Sequence, residues 1–447
     1  MPNPNFRSAI MIYLPRYYEK QAISKEGYFT FERLKNNLNL FFFISLLLFS
    51  LFAFKLSLHL ISSFSSRILS PIQVEKSNRE VFGFAPYWTF DKLDNVDFDV
   101  LTTLAYFGVE VNGNGYLETD GIGYETFQSD KATKIFKSAH ANGTRIVLTL
   151  TQMDNDSIIA LLDNPDGQKN TIEEAVNVVK SRGIDGINID FEYMGDPGLE
   201  YRDKFAFFIS NLTQQMHKEI PSSKVTVSVY ASSVKEPKIY DISKLHSVSD
   251  GIFMMAYDFA TTGSDVVIPT APLNGHKEGK YWYDISTAVD DFLAVMPSEK
   301  LILGLPWYGY NYPVLKPEVK AARDYGYYSY YWWRGYRYRQ YVGREEASAQ
   351  TYAIAIDSNP TEMEGWDEFG KVGWKAYKDA SGLWRMIFLD DAKSLEIKYD
   401  FAKAKKLGGV GMWALGFDDG KQELWTLLRH KFGIKLAENT ILNRKIN

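Results

Sequence analysis

The chain of 447 residues contains no cysteine, which excludes disulfide bonds, cysteine-based zinc sites and a thiol nucleophile. Its six histidines are scattered without zinc-like spacing, and no glycine-rich phosphate loop precedes a helix. An excess of positive charge is also missing, because the net charge is -5 at pH 7, which argues against a nucleic-acid partner. We therefore expect no metal, no cofactor and no nucleic acid, and the oligomeric state stays open.

One long apolar run stands near the N-terminus, within residues 38–61. Its uninterrupted part, residues 41–54, is shorter than the roughly 20 residues that a membrane-spanning helix needs. The run reaches that length if Lys55 and His59 lie near the membrane interface. A buried core helix and a cleaved signal peptide are the alternatives. Because 37 residues precede residue 38, we favour a transmembrane signal anchor.

The positive charges around this run predict its orientation, since cytoplasmic flanks are enriched in Lys and Arg. Six precede it and three follow it in a comparable stretch: Arg7, Arg16, Lys20, Lys25, Arg33 and Lys35, against Arg67, Lys76 and Arg79. The predicted organisation is a cytoplasmic segment 1–37, a transmembrane helix 38–61, a serine-rich linker 62–80, a folded domain 81–432 and a tail 433–447. The folded domain is then membrane-anchored and extracytoplasmic.

The folded domain alternates short apolar strands with amphipathic helices, which is typical of an α/β protein with a parallel sheet. The eight candidate strands are Val81–Ala85, Leu101–Val109, Arg145–Thr151, Gly186–Phe191, Val225–Tyr230, Gly251–Tyr257, Leu301–Pro306 and Gly409–Ala414. Eight is the number of strands in a TIM (β/α)8 barrel. The long gap before the last strand predicts an inserted α+β subdomain, at residues 311–392, between strands seven and eight.

Helices are predicted in the gaps between these strands. A capping box at residues 171–174 is expected to open a helix that ends at Ser181, with Gly183 closing it. Residues 201–220 and 284–296 are predicted to be helical as well. Short strands are expected inside the insertion, at Val372–Tyr377 and Leu383–Leu389.

The segment from Asp185 to Glu192 carries the most chemical information. Side chains of a strand alternate between its faces, so Asn188, Asp190 and Glu192 share the face that points into a barrel. Glu192 then lies at the C-terminal mouth, where barrel enzymes place their active sites. Asp185 lies at the start of the strand, and the alternation does not place it on the interior face. Its role is either to support the catalytic residues or purely structural.

Two carboxyl groups placed side by side inside a barrel raise each other's pKa, and burial raises both further. A carboxylic acid that stays protonated near neutral pH can protonate a leaving glycosidic oxygen. The alternative is that these side chains form a polar layer inside the barrel and have no catalytic role. We also expect Asn188 to donate a hydrogen bond to Asp190, which would lower the pKa of that carboxyl.

Residues 185–192 resemble the Asp-x-x-Asp-x-Asp-x-Glu signature of glycoside hydrolase family 18, the chitinase-like family, with Asn188 where the middle Asp is usual. Three further segments resemble its sixth, seventh and eighth strands: Met255-Ala256-Tyr257-Asp258, Gly304-Leu305-Pro306-Trp307-Tyr308-Gly309 and Gly408-Gly409-Val410-Gly411-Met412-Trp413. The third strand departs from the family's Ser-x-Gly-Gly and reads Thr149-Leu150-Thr151-Gln152. Together with Asn188, this departure resembles the bacterial spore-cortex and cell-wall N-acetylglucosaminidase branch.

The resemblance implies a retaining mechanism in which the substrate's own acetamide is the nucleophile. Glu192 would be the catalytic acid and base, Asp190 would orient the acetamide, and Tyr257 would donate a hydrogen bond to it. Trp413 would pack beneath the sugar. Met255 and Asp258 are further candidates for substrate contact, as are aromatic residues at strand ends: Trp307, Tyr87, Trp88 and Tyr106.

The implied substrate is a β-1,4 glycan that contains N-acetylglucosamine, either peptidoglycan or chitin oligomers. The predicted membrane anchor favours peptidoglycan. A catalytically inactive, chitinase-like carbohydrate-binding protein is the alternative, and a structural envelope protein is a third reading. Residues 325–341 form an aromatic stretch within the insertion. Two roles are equally compatible with this stretch: a platform that binds distal sugars, and packing of the insertion onto the barrel.

Overall fold

The computed structural model describes residues 79–357 and 360–433 of the chain. Its centre is a closed barrel of eight parallel strands, which confirms the predicted TIM barrel. The barrel strands are β1 (Glu80–Pro86), β2 (Thr103–Glu110), β3 (Arg145–Gln152), β4 (Gly186–Phe191), β5 (Lys224–Tyr230), β6 (Gly251–Met255), β8 (Leu301–Pro306) and β17 (Gly409–Trp413), with the two-residue strand β7 (Val266–Val267) outside the barrel. Each barrel strand overlaps its predicted counterpart, because alternating apolar side chains identify strands well.

Helices cover the outside of the barrel. They are α1 (Ile122–Gln128), α2 (Asp130–Ala141), α3 (Asn155–Leu162), α4 (Pro165–Arg182), α5 (Leu199–Glu219), α6 (Ile242–Val248), α7 (Ile285–Leu293), α8 (Tyr352–Asp357), α9 (Ala392–Ala404) and α10 (Glu423–Phe432), with 3-10 turns at Tyr87–Asn95 and Ser298–Lys300. Outward-facing strand residues pack against these helices. Phe191 of β4, for example, stacks on Phe208 of α5 with ring centroids 6.1 Å apart.

The predicted start of helix α4 is wrong. The helix begins at Pro165, and the side chain of Asn164 caps it by accepting a hydrogen bond from the Gly167 amide at 3.0 Å. Thr171 lies inside the helix, where its hydroxyl donates to the Gly115 carbonyl at 2.9 Å. A capping-box pattern can occur within a helix when a stronger cap precedes it, as the Asn-Pro pair does here. Gly183 closes the helix in the left-handed conformation, as predicted.

The segment between β8 and β17 forms a second, antiparallel sheet of five strands and begins three residues earlier than expected, at Tyr308. The order is β13 (Ser348–Thr351), β9 (Tyr308–Pro313), β16 (Trp384–Leu389), β15 (Val372–Lys378) and β14 (Met363–Asp367). A separate hairpin consists of β11 (Gly326–Trp333) and β12 (Tyr336–Gly343), and the short strand β10 (Ala321–Ala322) pairs with β7.

The barrel interior is polar on one side and apolar on the other. Parallel register aligns Thr149 of β3, Asn188 of β4 and Thr226 of β5, so polar groups line three adjacent strands. Much of the remaining interior is lined by a cluster of apolar side chains: Phe82, Phe84, Ala105, Phe107, Val147, Phe253, Met255 and Ile302. This division places the carboxyl groups of β4 on a polar wall that faces aromatic rings.

The predicted transmembrane helix 38–61 and the segments around it lie outside the described residues. Within the ranges 79–357 and 360–433, the structure has no helix with the length and apolar character needed to cross a bilayer.

Candidate active site

The C-terminal mouth of the barrel opens into a cavity of about 570 Å³. The ends of β1, β2, β4, β5, β6 and β17 contribute its walls, and the insertion adds Tyr308. The lining includes seven residues expected from the sequence: Trp88, Asp190, Glu192, Met255, Tyr257, Asp258 and Trp413. The structure therefore collects residues from distant parts of the chain where barrel enzymes carry out chemistry.

Asp190 and Glu192 extend from β4 toward this cavity, with Asp190 one layer deeper in the barrel. The Asp190 side chain is 3% exposed, and among the described residues its Oδ1 atom has no hydrogen-bond partner. Burial and the charge of Glu192 raise the pKa of Asp190 well above its usual range. Burial also raises the pKa of Glu192. The two carboxyls form a coupled pair that retains a proton to higher pH than either would alone.

Tyr230, at the end of β5, is a functional neighbour that sequence reasoning missed. Its hydroxyl donates to the Met194 sulfur at 3.7 Å and lies near the Glu192 carboxyl, where its polarity lowers the pKa of Glu192 and partly opposes the effect of burial. The signal was present in the strand, because Thr226, Ser228 and Tyr230 alternate with valines and so share the interior face. Tyr230 therefore limits the rise of the pKa of the acid.

Replacing Tyr230 with phenylalanine should therefore raise the pKa of Glu192. The alkaline limb of the kcat/KM–pH profile should move to higher pH, because the Tyr230 hydroxyl favours the ionised form of Glu192 and its loss keeps the acid protonated longer. Tyr240→Phe is the matched control, since the Tyr240 hydroxyl donates to the Phe191 carbonyl at 2.6 Å instead of to a carboxylate. An unchanged profile for Tyr230→Phe, or an equal shift in the control, would contradict this role.

Tyr257 and Asp258 follow β6, which lies two strands from β4 in the barrel. Burial and the nearby Asp190 raise the pKa of Tyr257 well above its usual range, so its hydroxyl keeps its proton and can donate a hydrogen bond. Asp258 accepts hydrogen bonds from Tyr308 and, at 2.8 Å, from Tyr310. These two bonds fix the orientation of the Asp258 carboxyl, whose pKa burial raises.

Trp413 forms an aromatic wall of the cavity together with Phe84, Phe107 and Trp88. Its ring centroid lies 4.7 Å from that of Phe107 and 5.5 Å from that of Phe84. The contact with Phe107 is edge-on and the contact with Phe84 is tilted, and both help to hold the Trp413 ring in place. Trp88 is 52% exposed and borders the entrance.

Asn188 does not donate to Asp190, contrary to the expectation from the sequence. Its amide donates to the Ser228 hydroxyl at 3.0 Å, and its carbonyl accepts from Thr226 at 2.8 Å. The reason is the parallel register, which sets Asn188 directly beside Thr226. Asn188 therefore joins β4 to β5, and the pKa of Asp190 is set by burial and by Glu192.

Asp185 lies at the opposite end of β4 from Glu192, roughly 20 Å away at the rise of a strand. Its carboxylate accepts a hydrogen bond from the Ile146 amide at 2.8 Å and pairs with His140 at 2.7 Å. These contacts join the N-terminal ends of β3 and β4. Of the two roles left open for Asp185, the geometry favours the structural one.

Three aromatic candidates lie outside the cavity, contrary to prediction. Trp307 is fully buried and packs edge-on against Trp425, with ring centroids 5.2 Å apart. Tyr106 is also fully buried and donates to the Gly123 carbonyl at 2.6 Å. Tyr87 packs behind Trp88 and against the outer hydrophobic core. Trp307 and Tyr106 point outward because each lies on the helix-facing side of the barrel wall.

The cavity also includes residues that no motif indicated: Met153, Met194, Ser232 and Trp282. They lie on loops after strands, where side-chain direction follows no simple period. In the two described ranges, no group of three or more His, Cys, Asp or Glu side chains is placed to hold a metal ion.

Known proteins resemble this chain in sequence and in fold. The model of glycosyl hydrolases family 18 matches residues 80–418. Di-N-acetylchitobiase of Rattus norvegicus is 26% identical over 309 residues, which cover 65% of this chain and 78% of the rat protein.

Two solved structures share the fold. The spore cortex-lytic enzyme SleL of Bacillus megaterium QM B1551 has a TM-score of 0.61 at 19% identity and covers 82% of this chain and 76% of its own. The chitinase of Cycas revoluta in complex with (GlcNAc)3 has a TM-score of 0.64 at 20% identity and covers 79% of this chain and 99% of its own.

Proposed function

This chain belongs to glycosyl hydrolases family 18, and we propose that it cleaves β-1,4 bonds of N-acetylglucosamine-containing glycans by a retaining, substrate-assisted mechanism. It is a glycoside hydrolase. The observation that carries the mechanism is the convergence of Glu192, Asp190 and Tyr257 in one cavity beside Trp413.

The positions of the carboxyl groups in the cavity support a mechanism in which the protein supplies the catalytic acid but not the nucleophile. Retaining enzymes with a protein nucleophile place two carboxyls about 5–5.5 Å apart across the scissile bond. Asp190 instead lies one layer below Glu192 and is almost fully buried, and Asp258 is held by Tyr308 and Tyr310. Neither of these two carboxyl groups is therefore placed to attack the anomeric carbon of a bound sugar. The nucleophile is then the acetamide of the substrate.

Each step follows from this arrangement. Glu192, protonated because burial raises its pKa, gives its proton to the leaving glycosidic oxygen. Asp190 accepts a hydrogen bond from the acetamide N–H, while the Tyr257 hydroxyl donates to the acetamide and so orients its carbonyl oxygen. That oxygen attacks the anomeric carbon and forms a cyclic intermediate. Glu192, now ionised, removes a proton from a water molecule. That water attacks the anomeric carbon and opens the cyclic intermediate, so the anomeric configuration is retained overall.

The first product should therefore be the β-anomer, and a thiazoline mimic of the cyclised acetamide should inhibit. The β-anomer is expected because two displacements at the anomeric carbon restore its configuration, and the inhibition is expected because the thiazoline has the shape of the cyclic intermediate. Proton NMR of a short N-acetylglucosamine oligomer at early reaction times measures the anomer. An initial α-anomer, or indifference to the thiazoline at concentrations that inhibit related enzymes, would refute this mechanism.

Peptidoglycan is the substrate that we propose. The likeness to the spore cortex-lytic enzyme SleL supports it, as does the predicted signal anchor at 38–61, which would hold the catalytic domain outside the cytoplasmic membrane. Mass spectrometry should find fragments with reducing N-acetylglucosamine ends after digestion of purified peptidoglycan. Digestion of chitin oligomers alone would refute the choice of substrate, and recovery of the full-length chain in the soluble fraction would refute the anchor.

A further inference from the structure

The insertion carries a hairpin, residues 326–343, that projects its side chains into solvent on both faces. It contains seven Tyr, two Trp and three Arg, but no acidic residue and no Phe, Leu, Ile or Met. Trp332 and Tyr336 are 73% and 71% exposed. Such a concentration of exposed rings marks an interaction surface, since soluble domains rarely leave large apolar patches open.

The hairpin has a defined geometry. Its turn is Arg334–Gly335, with φ angles of 48° and 81°, as a two-residue type I′ turn requires. Antiparallel register pairs Tyr331 with Tyr338 and Trp333 with Tyr336. Because side chains alternate between faces, the two faces of the hairpin have different compositions.

We call one face the neutral face; it consists of Tyr327, Ser329, Tyr331, Trp333, Tyr336, Tyr338, Gln340 and Val342. The opposite, arginine face consists of Tyr328, Tyr330, Trp332, Arg337, Arg339 and Tyr341. On the arginine face, guanidinium groups already cover two rings: Arg337 lies 4.0 Å from the Tyr330 centroid, and Arg339 lies 4.4 Å from that of Tyr328. Among the residues that the structure describes, the one cation over a ring of the neutral face is Arg334 of the turn, at Trp333.

The base of the hairpin is attached to the rim of the catalytic cavity. Tyr325 donates to the Asp265 carboxylate, and Arg323 donates to the Thr262 carbonyl. Both partners belong to the loop that begins beside Thr261, which lines the cavity. A glycan longer than the cavity must extend past its rim, and the hairpin is anchored at one part of that rim.

We propose that the neutral face is a docking surface for the peptidoglycan strand outside the catalytic cavity, a proposal that rests on the proposed function. Flat rings without charge, with hydroxyl and amide groups between them, match a sugar chain with apolar ring faces and polar edges. Tyr and Trp are also common at membrane interfaces, but surfaces that insert into lipid usually add Leu or Phe, and this hairpin contains neither. On the arginine face the stacked guanidinium groups already cover two of the rings, which leaves less ring surface for a sugar.

The two faces provide a matched pair of variants. The neutral-face variant is Tyr331→Thr/Trp333→Thr/Tyr336→Thr, and the control is Tyr328→Thr/Tyr330→Thr/Trp332→Thr on the arginine face. Each removes two Tyr and one Trp that are exposed, and threonine keeps a high strand propensity. Circular dichroism and thermal unfolding establish that both variants fold like the parent protein.

Binding to insoluble peptidoglycan is measured in a Glu192→Gln background, and hydrolysis is measured with Glu192 intact. We expect the neutral-face variant to bind peptidoglycan about tenfold more weakly or worse, because a second contact multiplies the affinity of the first. Its kcat/KM on a nitrophenyl glycoside of a short N-acetylglucosamine oligomer should equal that of the parent. The arginine-face control should match the parent in both assays.

The outcomes separate this proposal from the proposed function. If the parent protein leaves the short glycoside intact, the proposed function fails. If it cleaves the glycoside but the neutral-face variant binds peptidoglycan like the parent, or the two variants lose binding equally, the docking surface is refuted. A third outcome is that the parent binds phosphatidylglycerol vesicles and the neutral-face variant does not, while both bind peptidoglycan equally. That result would identify a membrane contact and would also refute the peptidoglycan docking surface.

Discussion

Replacing Glu192 with glutamine should lower kcat by about 10²–10⁴, because the amide has no proton of suitable acidity for the leaving oxygen. Glutamine is nearly isosteric, so affinity for the glycan should persist. Initial rates on a short glycoside and binding by calorimetry measure the two effects. Activity equal to that of the parent would refute Glu192 as the acid. Retained binding with lost turnover also separates an enzyme from an inactive carbohydrate-binding protein.

The same variant should be at least as stable as the parent at neutral pH. Burial raises the pKa of Glu192 in the folded chain, so the contribution of this group to stability is complete below its unfolded pKa and is lost as pH rises through the folded pKa. Glutamine does not ionise and avoids that loss. The difference in melting temperature should vanish below about pH 4, where the carboxyl is protonated in both states. A lower melting temperature for the variant at pH 7 would contradict this assignment.

Lys398→Met should destabilise the fold by about 3–5 kcal/mol, because it leaves the Asp390 carboxylate buried without a countercharge. Lys398 of α9 forms an ion pair with Asp390, which follows β16 of the insertion sheet, and the two side chains are 0% and 2% exposed. Burial lowers the pKa of Lys398 despite this partner. Ser394 adds a hydrogen bond to the Asp390 carboxylate at 2.6 Å. Thermal and urea unfolding of the purified protein measure the cost.

The double variant Lys398→Met/Asp390→Asn is the control for this prediction. It removes both charges, so most of the stability should return, since a buried pair contributes little net stability compared with neutral groups. Lys405→Met gives a second comparison, because Lys405 and its partner Asp290 are both more than one-third exposed and should contribute little. A loss below ~1 kcal/mol for Lys398→Met, or equal losses in the single and double variants, would show that the unpaired charge is not the cause.

Much of the fold could be predicted from sequence because its signals are local. Strand β4, with its alternation of Ile187, Ile189 and Phe191 against Asn188 and Asp190, specified both the strand and its inward face. The same alternation placed Glu192 at the mouth of the barrel. The order of four motifs indicated the family, and the family model agrees.

Contacts between strands were beyond local reasoning. Asn188 meets Ser228 and Thr226 because parallel register brings β5 beside β4, and no property of β4 alone selects those partners over Asp190. The same neighbouring strand supplies Tyr230, whose hydroxyl tunes the acid. Its residue type gave no sign of this role, since tyrosine at a strand end is common in cores.

The aromatic residues separate the two levels of information most clearly. Sequence alone established that aromatic rings are abundant and that many lie at strand ends. It also established that Glu192 and Asp190 face the interior and that the insertion contains a cluster of aromatic residues. Tertiary structure sends Trp413 and Trp88 to the cavity, Trp307 and Tyr106 to the helix-covered core, and the hairpin rings into solvent. Periodicity specifies which residues share a face, whereas packing of neighbouring elements determines whether that face meets substrate, core or water.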